Sequence, residues 1–405
     1  MTADPPSLRL AIVLSHPIQY YSPWFRWLRA NTNLEFRVFY LWNFGVEATL
    51  DPQFQTTYAW DVDLLSGYAH EFVPNAARHP SSMEFGGLRN PQLCSRLKTW
   101  RPDAILLFGY AYATHLRLIV WSRLHGVPLI FRGDSHFIGR GEPTWSTKLA
   151  LRLLYAQFAA VTYVGHANRD YFRTLGVPER KLVFAPHAVD GALFDPARPE
   201  PHAEAAALRH RLGLASTTKV VLFAGKFITA KQPRELLAAF LALSQSDAAL
   251  VFVGDGAEKV ALVEAARAAP AGRVHFLPFA NQSEMPARYL LADIFALPSR
   301  GLYETWGLAV NEAMHFGVPC LVSDRVGCQR DLVTDGETGW VFHAEDPAHL
   351  REKLATALSA DLAPFRPRVT QRIANHSYAA AANGLQAALC IAVRPTIAAD
   401  DDFRS

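Results

Sequence analysis

The sequence predicts an α/β protein built from two Rossmann-like halves, and three observations carry that expectation. Apolar, β-branched runs at residues 8–14, 103–108, 219–224 and 294–297 each end in a polar loop that leads into a helical pattern. The chain has 405 residues, half of them hydrophobic, enough for two cores of ordinary size. Residues 294–322 read as strand, loop, helix and strand, the unit that places a ligand at the carboxyl end of a parallel sheet.

Taken in order, the first half opens with the strand at 8–14, a loop through His16 and Gln19, and a helix at 24–30. Residues 20–29 (YYSPWFRWLR) mix aromatics with arginines. They fit a helix packed on the sheet, or a helix lying on a membrane surface. A strand at 36–41 follows. Residues 43–87 are long and irregular, which suggests a lid or an acceptor-binding region. Strands at 103–108, 128–131, 160–164 and 181–185 alternate with helices at 114–125, 148–160 and 168–175. Residues 195–217, rich in Pro, Ala and Glu, read as a linker with a short helix at 203–212. The second half has strands at 219–224, 249–253, 274–277, 294–297 and 320–322, and helices at 234–243, 285–291, 308–314, 347–359 and 372–392. The expected domains are 1–195, a linker at 196–216, 217–375, and a closing helix at 376–393. The acidic tail at 394–405 is expected to fray.

Composition narrows the function. A dispersed net charge of +3 argues against nucleic acid. Cys94, Cys320, Cys328 and Cys390 show no C-x-x-C spacing and read as reduced, mostly buried thiols. No apolar run is long enough to cross a bilayer, and the start MTADPPS lacks a leader's basic and apolar regions. The expected setting is the cytoplasm, with peripheral contact at the inner membrane face as a further reading.

The chemistry concentrates at Glu304 and Glu312, which stand eight positions apart around Gly307. Along a continuous helix they would lie about 12 Å apart. A hydrolase pair sits closer, at roughly 5 Å or 6.5–9.5 Å. A better arrangement puts Glu304 in the loop and Glu312 on the helix. The amides of Thr305, Trp306, Gly307 and Leu308 then face a pocket, and a helix start attracts phosphate. One ligand spans the site: a sugar at Glu304, a diphosphate at the helix start, ribose hydroxyls at Glu312.

The run ETWGLAVNEAM, followed by GVP and DGETGWVF, resembles the E-x7-E signature of glycosyltransferase family 4. That resemblance implies the GT-B fold, two Rossmann-like domains facing across a cleft. It also implies a retaining transfer from a nucleoside-diphosphate sugar. Lys226 and Lys231, after Gly225, match the family's cations for the donor diphosphate, and their charge would stabilise the leaving group. His16 and Gln19 fall in the loop that faces the cleft. Asp134 or His136 occupies the place of a histidine facing the reacting sugar, and the spacing does not choose between them. At residues 186–190 the family usually has Pro-Asn-Gly-Val-Asp; His187 and Ala188 depart from it, while Asp190 remains. Gly254 and Gly256 form a turn beside the nucleotide, without dinucleotide or P-loop spacing. No covalent nucleophile stands out, so front-face attack is expected. Neither a cofactor nor a metal is called for, because the lysines and helix start supply the positive field. The partners are the donor and an acceptor of unassigned class. A nucleotide-sugar epimerase on the same fold and a non-catalytic nucleotide-sugar binder are the alternatives.

Overall fold

The computed structural model describes residues 8–393, except 52, 53, 55, 142, 244–246, 302 and 303. The MTADPPS start and the acidic tail lie outside the described residues.

The first half runs β1 (Arg9–Leu14), α1 (Ser22–Asn31), β2 (Glu35–Tyr40), β3 (Thr49–Asp51), β4 (Thr56–Tyr58), β5 (His70–Phe72), α2 (Leu93–Trp100), β6 (Ala104–Phe108), α3 (Ala113–His125), β7 (Leu129–Arg132), α4 (Trp145–Ala156), β8 (Ala160–Tyr163), α5 (His166–Thr174) and β9 (Leu182–Phe184). Seven of these strands form a parallel sheet in the order β5-β2-β1-β6-β7-β8-β9. Successive strand residues point to opposite faces, so each strand divides between two cores. Leu10, Ile12 and Leu14 meet Phe25 and Leu28 of α1 on one face. Ala11 and Val13 meet Leu97, Leu118 and Phe172 on the other, beneath α2, α3 and α5. Both faces are covered, which is why these strands are apolar throughout.

The second half runs α6 (Pro199–Arg211), β10 (Lys219–Ala224), α7 (Pro233–Leu241), β11 (Ala248–Val253), α8 (Lys259–Ala266), β12 (Val274–Leu277), α9 (Met285–Leu291), β13 (Ile294–Leu297), α10 (Leu308–His315), β14 (Cys320–Ser323), α11 (Gln329–Leu332), β15 (Gly339–Phe342), α12 (Pro347–Ser359), α13 (Phe365–Ile373) and α14 (Tyr378–Val393). Its six parallel strands are ordered β12-β11-β10-β13-β14-β15. Val220 and Leu222 face α9, α10 and α13, while Val221 and Phe223 face α7 and α12. These are two parallel-sheet α/β domains.

Four details sharpen or correct the sequence reading. Residues 43–87 are not wholly irregular: β5 adds an edge strand, and β3 with β4 makes an antiparallel hairpin. Of the two readings of residues 20–29, the packed helix is the one found: Trp24, Phe25 and Leu28 of α1 are buried under α14. The short helix expected at 203–212 within the linker is α6; it starts four residues earlier, and its Leu208 joins the core of the second half. The helix expected at 372–392 begins only at Tyr378 as α14, close to the start set for the closing helix at 376, and α13, separated from it by residues 374–377, was not anticipated.

That separation lets α14 return to the first sheet, where Tyr378, Leu385 and Leu389 join the core with Ile12 and Ile130. Close approach depends on Gly384: a Cβ there would lie 2.2 Å from the Phe184 carbonyl oxygen. The described cysteines are all free; Cys320 and Cys328 are buried, and Cys390 is exposed.

Candidate active site

The carboxyl ends of β1, β7 and β9 face those of β10, β11 and β13 across a cavity of about 500 Å³. Loops from both halves line it, as expected where parallel strands end. His16, Gln19, Asp134 and His187 come from the first half. Gly225, Lys226, Lys231, Gly254, Glu304, Thr305, Trp306, Gly307, Leu308 and Glu312 come from the second. Two anticipated residues do not line it. His136 is buried behind the loop, with Nε2 3.3 Å from the Glu304 carbonyl oxygen. Gly256 packs against the Phe227 backbone.

Glu304 sits in the loop between β13 and α10. Its Oε2 accepts from Ser299 Oγ at 2.7 Å and pairs with Lys231. Lys231 reaches it from the 3-10 turn Thr229–Lys231 that follows β10. Gly307 turns the chain into α10 at φ +99°, where a side chain would be strained and would press on Val326 and Leu297. The turn brings Leu308 and Ala309, the first residues of α10, to the cavity wall. Trp306 turns inward, donating from Nε1 to Asn311 Oδ1 at 2.8 Å.

Glu312, one turn into α10, is buried. Tyr20 donates to its Oε1 at 3.0 Å and Tyr289 to its Oε2 at 2.6 Å. Burial pushes its carboxyl up to about 7, and the hydroxyls that stabilise the anion only partly offset this. Tyr20 comes from the first half, so this pair ties the two halves together.

Asp134 follows β7. Its Oδ2 accepts from Thr305 Oγ1 at 2.8 Å and lies 3.3 Å from His187 Nε2. Burial raises its carboxyl, but the His187 and Thr305 contacts outweigh that and hold it below the usual range. Burial also lowers His187 and moves His16 down to about 4, so both imidazoles are neutral near pH 7. His187 therefore donates to an ionised Asp134.

The hairpin brings residues that the sequence did not single out. It crosses the cleft and rests on the second half. Asp51 lies 3.2 Å from Lys226, whose Nζ also stands 5.0 Å above the Phe54 ring. Tyr58 stacks on Phe279 with centroids 4.6 Å apart. Asn281 Nδ2 donates to the Ala59 carbonyl at 2.7 Å, and the Ser283 amide donates to Asp61. The local signal was weak: only the aromatic content of residues 54–60 marked it. Elsewhere across the cleft, His166 meets Asp331 at 2.7 Å and Arg330 meets Asp170 at 2.7 Å.

Two α/β sheets sharing a cleft lined by cations, carboxylates and a helix start define the GT-B glycosyltransferase class. Solved structures agree in fold. A glycosyltransferase from Rickettsia africae aligns over 95% of this chain and 99% of its own, with a TM-score of 0.72 at 14% identity. Anabaena HepE in complex with UDP aligns over 95% and 99%, with a TM-score of 0.71 at 16% identity. The pattern described as Glycosyl transferases group 1 matches residues 204–376, and that described as Glycosyl transferase 4-like domain matches residues 56–188. The chain is a glycosyltransferase of family 4. A GDP-mannose-dependent alpha-(1-6)-phosphatidylinositol monomannoside mannosyltransferase of Mycolicibacterium smegmatis is 29% identical over 75% of this chain and 78% of its own length. A D-inositol 3-phosphate glycosyltransferase of Corynebacterium efficiens is 33% identical over 51% of this chain, half of its own length.

Proposed function

We propose that the enzyme moves a sugar from a nucleoside-diphosphate sugar to an acceptor hydroxyl with retention at the anomeric carbon. The observation that carries this is the convergence of Lys226, Lys231 and the Gly307 turn on the cavity that also holds Glu304. With the donor bound, both lysines turn to the diphosphate. Lys231 leaves Glu304, which then holds sugar hydroxyls and stabilises the developing oxocarbenium charge. Glu312 takes the ribose in exchange for the Tyr20 hydroxyl. The bond from the anomeric carbon to the β-phosphate oxygen breaks, and its electron pair stays on the phosphate. The acceptor oxygen attacks the same face, and its proton passes to that departing phosphate oxygen. Asp134, ionised at the cleft floor, orients a sugar or acceptor hydroxyl.

A metal is not assigned a step, because two ammonium groups and the helix start supply the field for the leaving diphosphate. Among the described residues no group of three or more His, Cys, Asp or Glu side chains is arranged to hold a metal ion. The donor class is a guanosine or uridine diphosphate sugar. A GDP-mannose-dependent relative and a UDP-bound structural neighbour support that range. A thermal-shift panel of UDP, GDP, ADP, CDP and dTDP tests it. A ligand at a hundredfold excess over its Kd stabilises the fold by about 2.7 kcal/mol. One nucleotide should raise the melting point, and its sugars should then be consumed only with acceptor present. No shift from any of them overturns the donor-site reading, and turnover without acceptor would favour an epimerase.

A further inference from the structure

The outer face of the first half carries a surface that the transfer reaction does not use. Helix α3 is apolar on both sides. Leu118 and Ile119 enter the core, yet Leu116, Val120 and Leu124 point outward, the last 77% exposed. Helix α4 repeats the pattern with Trp145, Leu149 and Leu153, of which Trp145 is 77% exposed. Both sets recur at every fourth residue, so each forms one stripe along its helix. A helix on the surface of a water-soluble domain ordinarily shows a polar outer face.

The two stripes are neighbours. Helix α3 joins β6 to β7 and α4 joins β7 to β8, and these strands are adjacent in the sheet. Both helices pack into the same core. Ser122 and Arg123 at the end of α3 share a cleft with Ala156 and Gln157 at the end of α4. Beside α3, a groove of about 490 Å³ is lined by Cys94, Leu116, Val120, Trp121 and Leu124.

Charge identifies the occupant. Arg117 and Arg123 on α3, with Lys148 and Arg152 on α4, flank the stripes, and neither helix carries an acidic residue. A second copy of this chain docking by the same face would set four cations against four cations. An anionic lipid surface instead complements both parts. Cations draw it in, and exposed Trp and Leu side chains enter the headgroup boundary.

We propose that the α3–α4 face docks on an anionic bilayer. The strands deliver their carboxyl ends to the cleft, so the amino-terminal ends of α3 and α4 lie on the cleft side. Docking there sets the cleft rim against the lipid headgroups. Among the described residues no helix is long and apolar enough to cross a membrane, so this contact is interfacial.

Co-sedimentation with vesicles of phosphatidylcholine, with and without phosphatidylglycerol, tests the proposal. The full chain should pellet with the anionic vesicles, weakly with neutral ones, and less as salt rises. Replacing Arg117 and Lys148 by Gln should lower the partition coefficient about 25-fold, roughly fivefold for each charge. Replacing Trp145, Leu149 and Leu153 by Ser should abolish pelleting while leaving the nucleotide-induced thermal shift unchanged. Failure of the wild type to pellet with anionic vesicles overturns the proposal, as does equal binding by the variants. A wild-type dimer that the serine variant converts to a monomer would also overturn it, assigning the face to self-association. These outcomes are independent of which donor or acceptor the cleft takes.

Discussion

Glu312 should make the stability of this protein depend on pH in a way that one substitution removes. Its carboxyl titrates near 7 in the fold, against 4.5 in an exposed chain. The folded state therefore holds the proton more tightly than the unfolded state. Below the unfolded value both states are protonated and the residue costs nothing. As pH rises from there through 7, the unfolded chain releases its proton while the fold resists, so stability falls and then levels. At 1.36 kcal/mol per unit, the loss is about 3 kcal/mol. Glu312→Gln keeps the shape and still offers an oxygen to Tyr20 or Tyr289, but carries no titration. Thermal melts of both proteins at pH 5 and pH 8.5 are the assay. Other groups move both proteins together, so the difference between the two pH shifts isolates Glu312. We expect the Gln protein to melt only about 2–3 °C higher at pH 5, where roughly 0.8 kcal/mol of the loss has set in, and roughly 6–12 °C higher at pH 8.5, if the second half unfolds as a unit. Equal pH slopes would refute the buried-carboxyl argument.

Three further outcomes follow from the cleft and from α14. Lys231→Ala removes one charge-assisted contact, about 2 kcal/mol, so nucleoside diphosphate affinity should fall roughly 30-fold by calorimetry. Nucleoside affinity should hold, and an equal loss for both ligands would refute the diphosphate role. Glu304→Gln should leave nucleotide affinity nearly unchanged and lower transfer by about 100-fold or more, since the group acts on the reacting sugar; equal turnover would end that assignment. Gly384→Val should force α14 off Phe184 and Ala185, lowering the melting point of the first half; an unchanged melt with intact helicity would refute that packing account.

Much of this architecture was legible because it is local. Both sheets could be read from apolar runs buried on both faces, and Gly307 marked the turn into α10. The contacts that close the cleft were not legible. Tyr20 and Glu312 stand 292 positions apart, and nothing near either residue encodes the other. The hairpin was hidden for a related reason. Strands β3 and β4 have three residues each, too short for a period to emerge, and their partners Lys226, Phe279 and Asn281 belong to the other half. Helix α6 was expected at 203–212, but its first turn was not: its prolines sit there, where they are tolerated, and they suggested a linker instead of a helix packed on the second half. The break before α14 carries neither Gly nor Pro, yet the closing helix set at 376–393 starts within two residues of it; what the sequence left out is α13.

The return of α14 also fixes how the cleft can open. The chain passes between the halves twice, after β9 and again before α14. The two passages lie side by side, with the Phe184 and His376 rings 6.0 Å apart. Adjacent passages act as one pivot at the β9 edge of the first sheet. The hairpin springs from the strands at the opposite edge and rests beside β12, itself an outer strand. It therefore sits at the long end of the lever. A small rotation at the pivot moves Tyr58 away from Phe279 farther than it moves His166 from Asp331. Donor should thus be admitted from the hairpin side, where Asp51, Tyr58 and Ala59 span the two halves.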